Sequence, residues 1–217
     1  MDFVKAFLRK DSETLTFLSY EYCQEQFSDL LRLLQGIPTE LFFDYIRSQR
    51  GALQYNTSEI PQFSDFKKGA IVVPRILEFY PEGVNYTELG EKLIGAKEDE
   101  ANRKYGENHA SLAALMSLAT IIKNQRKLVY PTRLGHFLVD FHMDEKNKLL
   151  KAMLLRSSFI QAMIKIAITG CGSYGLLMNG LARSTANRRR QSVRHLVEFI
   201  LKDTDMEDCY SNIDWTV

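Results

Sequence analysis

The chemistry most legible in this sequence is that of cations meeting phosphate. From Ser184 to Lys202 the chain reads Ser-Thr-Ala-Asn-Arg-Arg-Arg-Gln-Ser-Val-Arg-His-Leu-Val-Glu-Phe-Ile-Leu-Lys, and between Arg183 and Lys202 six Lys and Arg residues oppose the single Glu198, a net of +5. Guanidinium groups carry forked donors that match phosphate oxygens and base edges. Ser184, Thr185, Asn187, Arg188, Arg189, Arg190, Arg194 and His195 are therefore the candidates for contact with DNA. A second cluster, Lys123, Arg126, Lys127 and Arg133, places four cations within eleven positions. The plainer alternative for both is a solvated surface balanced by acidic neighbours.

Motifs of other chemistry are missing from the sequence. It contains no phosphate-cradling glycine loop, no His-Glu-x-x-His metal motif and no nucleophile elbow. Cys23, Cys171 and Cys209 are far apart and odd in number, which suits neither a disulfide framework nor a zinc site. Asp65-Phe66-Lys67 and Asp144-Glu145-Lys146 offer the residue types of a metal-dependent nuclease, but without a strand to fix their geometry they read as charged loop residues. His109, His136 and His142 are scattered. The expectation is a protein that is not an enzyme and holds no metal or cofactor.

A helix must present the arginine cluster. Ser184 is placed to cap it, and Val193, Leu196, Val197, Ile200 and Leu201 recur at intervals of three and four, a stripe that faces a core. The polar residues of its first turns would then face a DNA groove. Upstream, the spacing predicts helices over Ile71 to Tyr80, Asn85 to Leu93 and His109 to Ile122, then a short β-prone ribbon from Asn124 to Thr132 and a closing helix through Phe141. That order suggests a winged helix, with the second cation cluster on its wing. A second set of helices follows, over Lys148 to Leu155, Ser157 to Thr169, Tyr174 to Leu181 and Ser184 to Lys202, with Gly170-Cys171-Gly172 as a turn.

The fold class expected is mainly α, with two winged-helix (helix-turn-helix) units carrying short β-wings behind an N-terminal helical segment. Residues 1–68 form that segment and a linker, 69–145 the first winged-helix domain, and 146–217 the second, ending in an acidic tail that makes a rudimentary wing or packs back on the core. The aromatic residues of the first segment, Phe3, Phe7, Phe17, Tyr20, Phe27, Phe42 and Phe43, suit either a homodimer interface or an internal core.

Three features carry a family resemblance. They are Lys104-Tyr105-Gly106-Glu107-Asn108-His109 before an Ala-rich helix, Leu155-Arg156-Ser157-Ser158-Phe159-Ile160-Gln161, and Ser184-Thr185 with Arg188-Arg189 and Ser192-Val193. Residues 69–202 resemble the tandem winged-helix modules of bacterial restriction enzymes and related phage-defence proteins. The resemblance implies duplex DNA binding in a restriction-type antiviral defence system, beside a nuclease or ATPase partner subunit. The chain departs from that pattern in having a short helical segment where a catalytic domain would stand.

Charge and composition frame these expectations. At 45% hydrophobic and 25% charged residues the composition is ordinary for a water-soluble protein, and no apolar run suggests a signal peptide or a membrane span, so a cytoplasmic location is expected. The overall charge of +1 conceals −2 over residues 1–70, +8 over 71–202 and −5 over 203–217. A local positive face is the electrostatic footprint of nucleic-acid binding. The alternative is a protein–protein assembly or adaptor subunit whose basic surface is incidental.

Overall fold

The computed structural model describes residues 2–9, 24–50, 54–56, 59–60, 62–95, 98–123 and 127–217. In chain order the elements are α1 (Asp2–Arg9), α2 (Gln24–Gly36), α3 (Thr39–Ser48), a π-helical turn (Lys68–Val72) running into α4 (Val73–Leu77), β1 (Val84–Asn85), α5 (Tyr86–Ile94) and α6 (Asp99–Leu115). After these come β2 (Ala119–Lys123), β3 (Lys127–Pro131), α7 (Arg133–Val139), α8 (Met143–Leu154), α9 (Ser158–Thr169), α10 (Tyr174–Leu177), α11 (Arg183–Leu201) and a 3-10 helix (Glu207–Asn212). Helices dominate. Among the described residues the only sheet is a three-stranded antiparallel one in the order β1-β3-β2. No single helix among them is long and apolar enough to cross a membrane.

The chain divides into two compact units. One draws on both ends of the sequence, through Gln24–Ile60 together with α1 and Asn147–Val217; the other contains Pro61–Lys146.

The Pro61–Lys146 unit begins where the Asp65 carboxylate accepts hydrogen bonds from the backbone N–H groups of Lys67 and Lys68 at 2.9 and 3.3 Å. Asp65 thus acts as a helix cap, which accounts for a carboxylate that resembled part of a nuclease triplet. Asn85 and Glu88 start α5 with a reciprocal capping box. Helices α5 and α6 then approach to backbone contact, because a Cβ on Gly90 would lie 1.9 Å from the Asn102 carbonyl oxygen and one on Gly106 would lie 2.0 Å from that of Tyr86.

Helix α6 ends at Leu115, seven residues short of the expected end and ten residues earlier at its start. Ser117, with φ of 59°, turns the chain out of the helix, and the β-branched run Thr120-Ile121-Ile122 continues as β2. Ala119 and Ile122, expected on a helix, pair instead with Pro131 and Leu128 across the ribbon. The expected strand pair was therefore too short and too late. Thr132, placed by sequence in the wing, caps α7: its hydroxyl accepts from the N–H of Gly135 at 3.0 Å and donates to the Ser117 carbonyl at 2.7 Å.

In the other unit α9 is buried on nearly every side, through Phe159, Ile160, Ala162, Met163, Ile164, Ile166 and Ala167, as suits the central helix of a bundle. Ser157 caps its start and Gly170, at φ of 64°, closes its end in the left-handed region. The apolar stripe of α11 is buried as its spacing implied, with Ala186 added. Phe7, Phe27, Phe42 and Phe43 are also buried. These four rings belong to the internal core and offer nothing to a dimer partner, while Phe17 and Tyr20 lie outside the described residues. A ribbon is missing from this unit: among its described residues the only strand-like pairing is the parallel bridge between Ser173 and Asp214, so the second expected wing is replaced by a strap.

Much of the positive charge is directed inward, onto helix ends. Lys68 Nζ donates to the Leu93 carbonyl at the end of α5 at 2.9 Å, and Lys146 Nζ to that of Val139 at the end of α7 at 3.0 Å. In the other unit Lys151 Nζ donates to the Lys202 carbonyl, Arg156 Nε to that of Phe7 at 3.3 Å and Lys165 Nζ to that of Gln49 at 2.8 Å. Each cation meets the negative end of a helix dipole and satisfies a carbonyl that the helix itself leaves unpaired. Arg156 is 3% exposed, and burial pushes its guanidinium down to about 10. The electrostatic gain at such ends is about 0.3–1 kcal/mol each, up to about 2 when partly buried.

Candidate nucleic-acid interface

Helix α11 runs from Arg183, with Ala182 as its N-cap and no side-chain cap bond, so the capping role expected of Ser184 is not realised. Ser184 stands exposed in the first turn instead. The reason is register: the Ala182 carbonyl already accepts from the N–H groups of Thr185 and Ala186 at 2.9 and 3.0 Å, which starts the helix before Ser184 is reached.

Around this helix the candidate residues separate by face. Ser184, Asn187, Arg188, Gln191 and His195 are exposed, and their spacing of three or four places them on one stripe. It contains no carboxylate until Glu198. Thr185, Arg189, Arg190 and Arg194 are half-buried. Burial, then the neighbouring Arg188, push the Arg189 guanidinium down, while Tyr174 acts in the opposite sense.

Arg190 and Arg194, one turn apart, face the C-terminal strap. Arg190 Nη1 donates to the Trp215 carbonyl at 3.3 Å, and the Arg194 guanidinium lies over the Trp215 ring at 5.3 Å. Trp215 in turn packs against Tyr174 and Tyr210, with ring centroids 5.6 and 5.8 Å away. The strap is fixed along its length. The Asp214 carbonyl accepts from the N–H of Tyr174 at 2.8 Å, Asn212 Nδ2 donates to the Ala167 carbonyl at 2.9 Å, and Ile213 is buried. Gly175 admits the last residues, since a Cβ there would lie 2.7 Å from the Thr216 carbonyl oxygen. Tyr174 itself is fully buried, donates to the Ala186 carbonyl at 2.7 Å, and is pushed up to about 12 by that burial.

The second cluster is brought together only in part, at the end of the ribbon where Lys123 and Lys127 are register partners. Lys127 and Arg133 stand near opposite ends of β3, roughly 20 Å apart along an extended chain. Lys127 Nζ is 3.8 Å from the Glu107 carboxylate and lies over the Tyr86 ring at 5.9 Å. The backbone of Lys123 pairs with that of Lys127, and Arg126 lies outside the described residues.

The helix before that ribbon carries charges that sequence reading left unassigned. On α6, Arg103 bonds Glu100 at 2.8 Å and Glu107 at 3.2 Å, and Lys104 is 3.2 Å from Glu100. Hydrogen bonds from Arg103, then Lys104, bring the Glu100 carboxyl down to about 2. The i, i+3 and i, i+4 spacing of Glu100-Arg103-Lys104-Glu107 was the available signal. For the strap, the signal was a −5 tail with two aromatic residues following a +5 helix.

Among the described residues no group of three or more His, Cys, Asp or Glu side chains is arranged to hold a metal ion. Compared with protein-family models, curated proteins and solved structures, the chain gives no significant match. The resemblance to tandem winged-helix modules therefore rests on its residues alone.

Proposed function

We propose that the chain binds duplex DNA through the exposed stripe of α11. The observation that carries this reading is the alignment of Ser184, Asn187, Arg188, Gln191 and His195 on one face, above a buried apolar stripe. These are side chains that read base edges and hold phosphates, and a recognition helix presents such residues from its N-terminal half. Exposed Arg183 and the N–H groups of a first turn without a side-chain cap add positive potential at the same end.

The Pro61–Lys146 unit is read as a winged helix from its order of helix, β1, α5, α6, β2 and β3 with β3 central. The setting, DNA recognition within a restriction-type defence system, follows from the resemblance of residues 69–202 alone. A second reading has its own observation. The residues Asp99, Glu100, Arg103, Lys104 and Glu107 give α6 a net charge of −1 with its cations already paired, which favours a protein partner over DNA for this unit.

The test is a retardation assay with duplex and single-stranded DNA at two salt concentrations. Duplex affinity is expected to fall at least tenfold between roughly 50 and 200 mM salt, because counterions released from phosphates on binding return to them. Absence of duplex retention at low salt, or retention indifferent to salt, overturns the DNA reading and leaves the protein-docking one.

A further inference from the structure

We propose that the strap carrying Trp215 is an internal competitor of DNA, holding Arg190 and Arg194 out of the interface until a duplex displaces it. This rests on α11 as the DNA-reading helix.

The contacts made by the strap are those a nucleic acid would make. The Trp215 carbonyl takes the Arg190 Nη1 donor as a phosphate oxygen would, and the indole ring lies beneath Arg194 as a base would stack beneath a guanidinium. Burial pushes the Tyr210 hydroxyl up while the nearby charge of Arg194 acts in the opposite sense, so Arg194 lies close to Tyr210 as well as over Trp215. The segment is acidic, with Asp203, Asp205, Glu207, Asp208 and Asp214 and no Lys or Arg after Lys202. Its charge of −5 offsets the +5 of Arg183 to Lys202. Trp215 is half-buried and Asp214 and Thr216 are exposed, so the end of the strap is open to an approaching duplex. Displacement would free two cations on the face of α11 beside the stripe that carries Arg188. Binding energy spent on displacement lowers apparent affinity, which makes DNA capture sensitive to anything that loosens the strap.

Trp215 is the only tryptophan, so its fluorescence reports the strap directly. The full chain is titrated with a duplex oligonucleotide, and DNA retention is read alongside tryptophan emission and acrylamide quenching. Saturating DNA is expected to shift emission to the red and raise quenching. Trp215→Ala, with circular dichroism unchanged, is expected to tighten duplex binding about fivefold, and to do nothing when Arg190 and Arg194 are also alanine. Duplex binding that leaves Trp215 emission and quenching unaltered overturns the proposal while the DNA reading stands. Duplex retained by neither the wild type nor Trp215→Ala overturns both. Because the fluorescence arm uses the unaltered chain, it decides the matter even if Trp215→Ala fails to fold.

Discussion

The guanidinium of Arg194 lies over the ring of Trp215, 5.3 Å from its centroid, and not on the exposed stripe of its own helix. One turn earlier Arg190 is held by the carbonyl of the same tryptophan. The arginines of α11 therefore have two roles. Arg188 faces solvent, whereas Arg190 and Arg194 bind the end of the chain to the helix.

That division gives opposite expectations for two substitutions. Arg188→Ala should lower duplex affinity and reduce the salt slope by about one, with stability changed by less than about 0.5 kcal/mol. Arg194→Ala should cost about 1 kcal/mol of stability through loss of the ring contact and of its packed aliphatic stem. Urea unfolding and a salt series on both variants check this. Equal loss of affinity with no loss of stability in the Arg194 variant would contradict the assignment.

The contact of α5 with α6 is limited by two glycines. A methyl group on Gly106 would meet the Tyr86 carbonyl oxygen at 2.0 Å, where no flexible side chain can move aside. Gly106→Ala should therefore destabilise the Pro61–Lys146 unit by about 3 kcal/mol, the upper end of overpacking costs. Gly36→Ala meets nothing within 4 Å and serves as the control, expected to be neutral or slightly stabilising. Thermal melts of the two variants separate packing from helix propensity.

Periodicity was a good guide where burial of one helix face decides the structure, and a poor one where ends or distant partners decide it. Val193, Leu196, Val197, Ile200 and Leu201 are buried as their spacing implied. The end of α6 was misplaced because Leu115, Met116, Ala119 and Ile122 keep helical spacing, while the conformation of Ser117 and the pairing of β2 with β3 set the boundary. Charge is harder to place for a different reason. Residues 147–202 hold ten Lys and Arg against one carboxylate, yet Lys151, Arg156 and Lys165 donate to helix-end carbonyls far away in the chain, and Arg190 and Arg194 face the strap. A sequence counts cations without indicating which of them a carbonyl in another helix has engaged. The pairing of helices before residue 61 with those after residue 146 is invisible for the same cause.

His109 supplies a pH dependence. It is fully buried on α6, with Nδ1 2.8 Å from the Tyr105 carbonyl and its ring 4.1 Å from that of Tyr105, and burial lowers its affinity for a proton below the usual value of 6.5. The unfolded chain then binds more protons than the folded one once pH falls below about 6.5, so stability is full above that pH and declines beneath it. Urea midpoints followed from pH 8 to pH 5 should fall for the wild type. His109→Gln, which has no titrating ring, should remove most of that slope, and an unchanged slope would assign the dependence to other groups.

Glu100 tests whether α6 has cations available to DNA. Its carboxylate is shared by Arg103 at 2.8 Å and Lys104 at 3.2 Å, contacts that bring it from the usual 4.5 to about 2. The folded value lies below the unfolded one, so the contribution of these pairs is complete above about pH 4.5 and is lost as pH falls toward 2. Carbon-detected NMR titration of the side-chain carboxyls should find Glu100 titrating well below the other glutamates. Arg103→Ala should move it back toward 4.5 further than Lys104→Ala, since Arg103 is the stronger donor. High salt should raise it in the wild type, because the carboxylate is exposed and its pairs are screened. If Glu100 titrates with the other glutamates at ordinary ionic strength, Arg103 and Lys104 are not held by it. Lys104 would then stand unpaired on α6, with Arg103 retaining only Glu107 at 3.2 Å, and a second DNA contact, rather than a protein one, would be the reading for that unit.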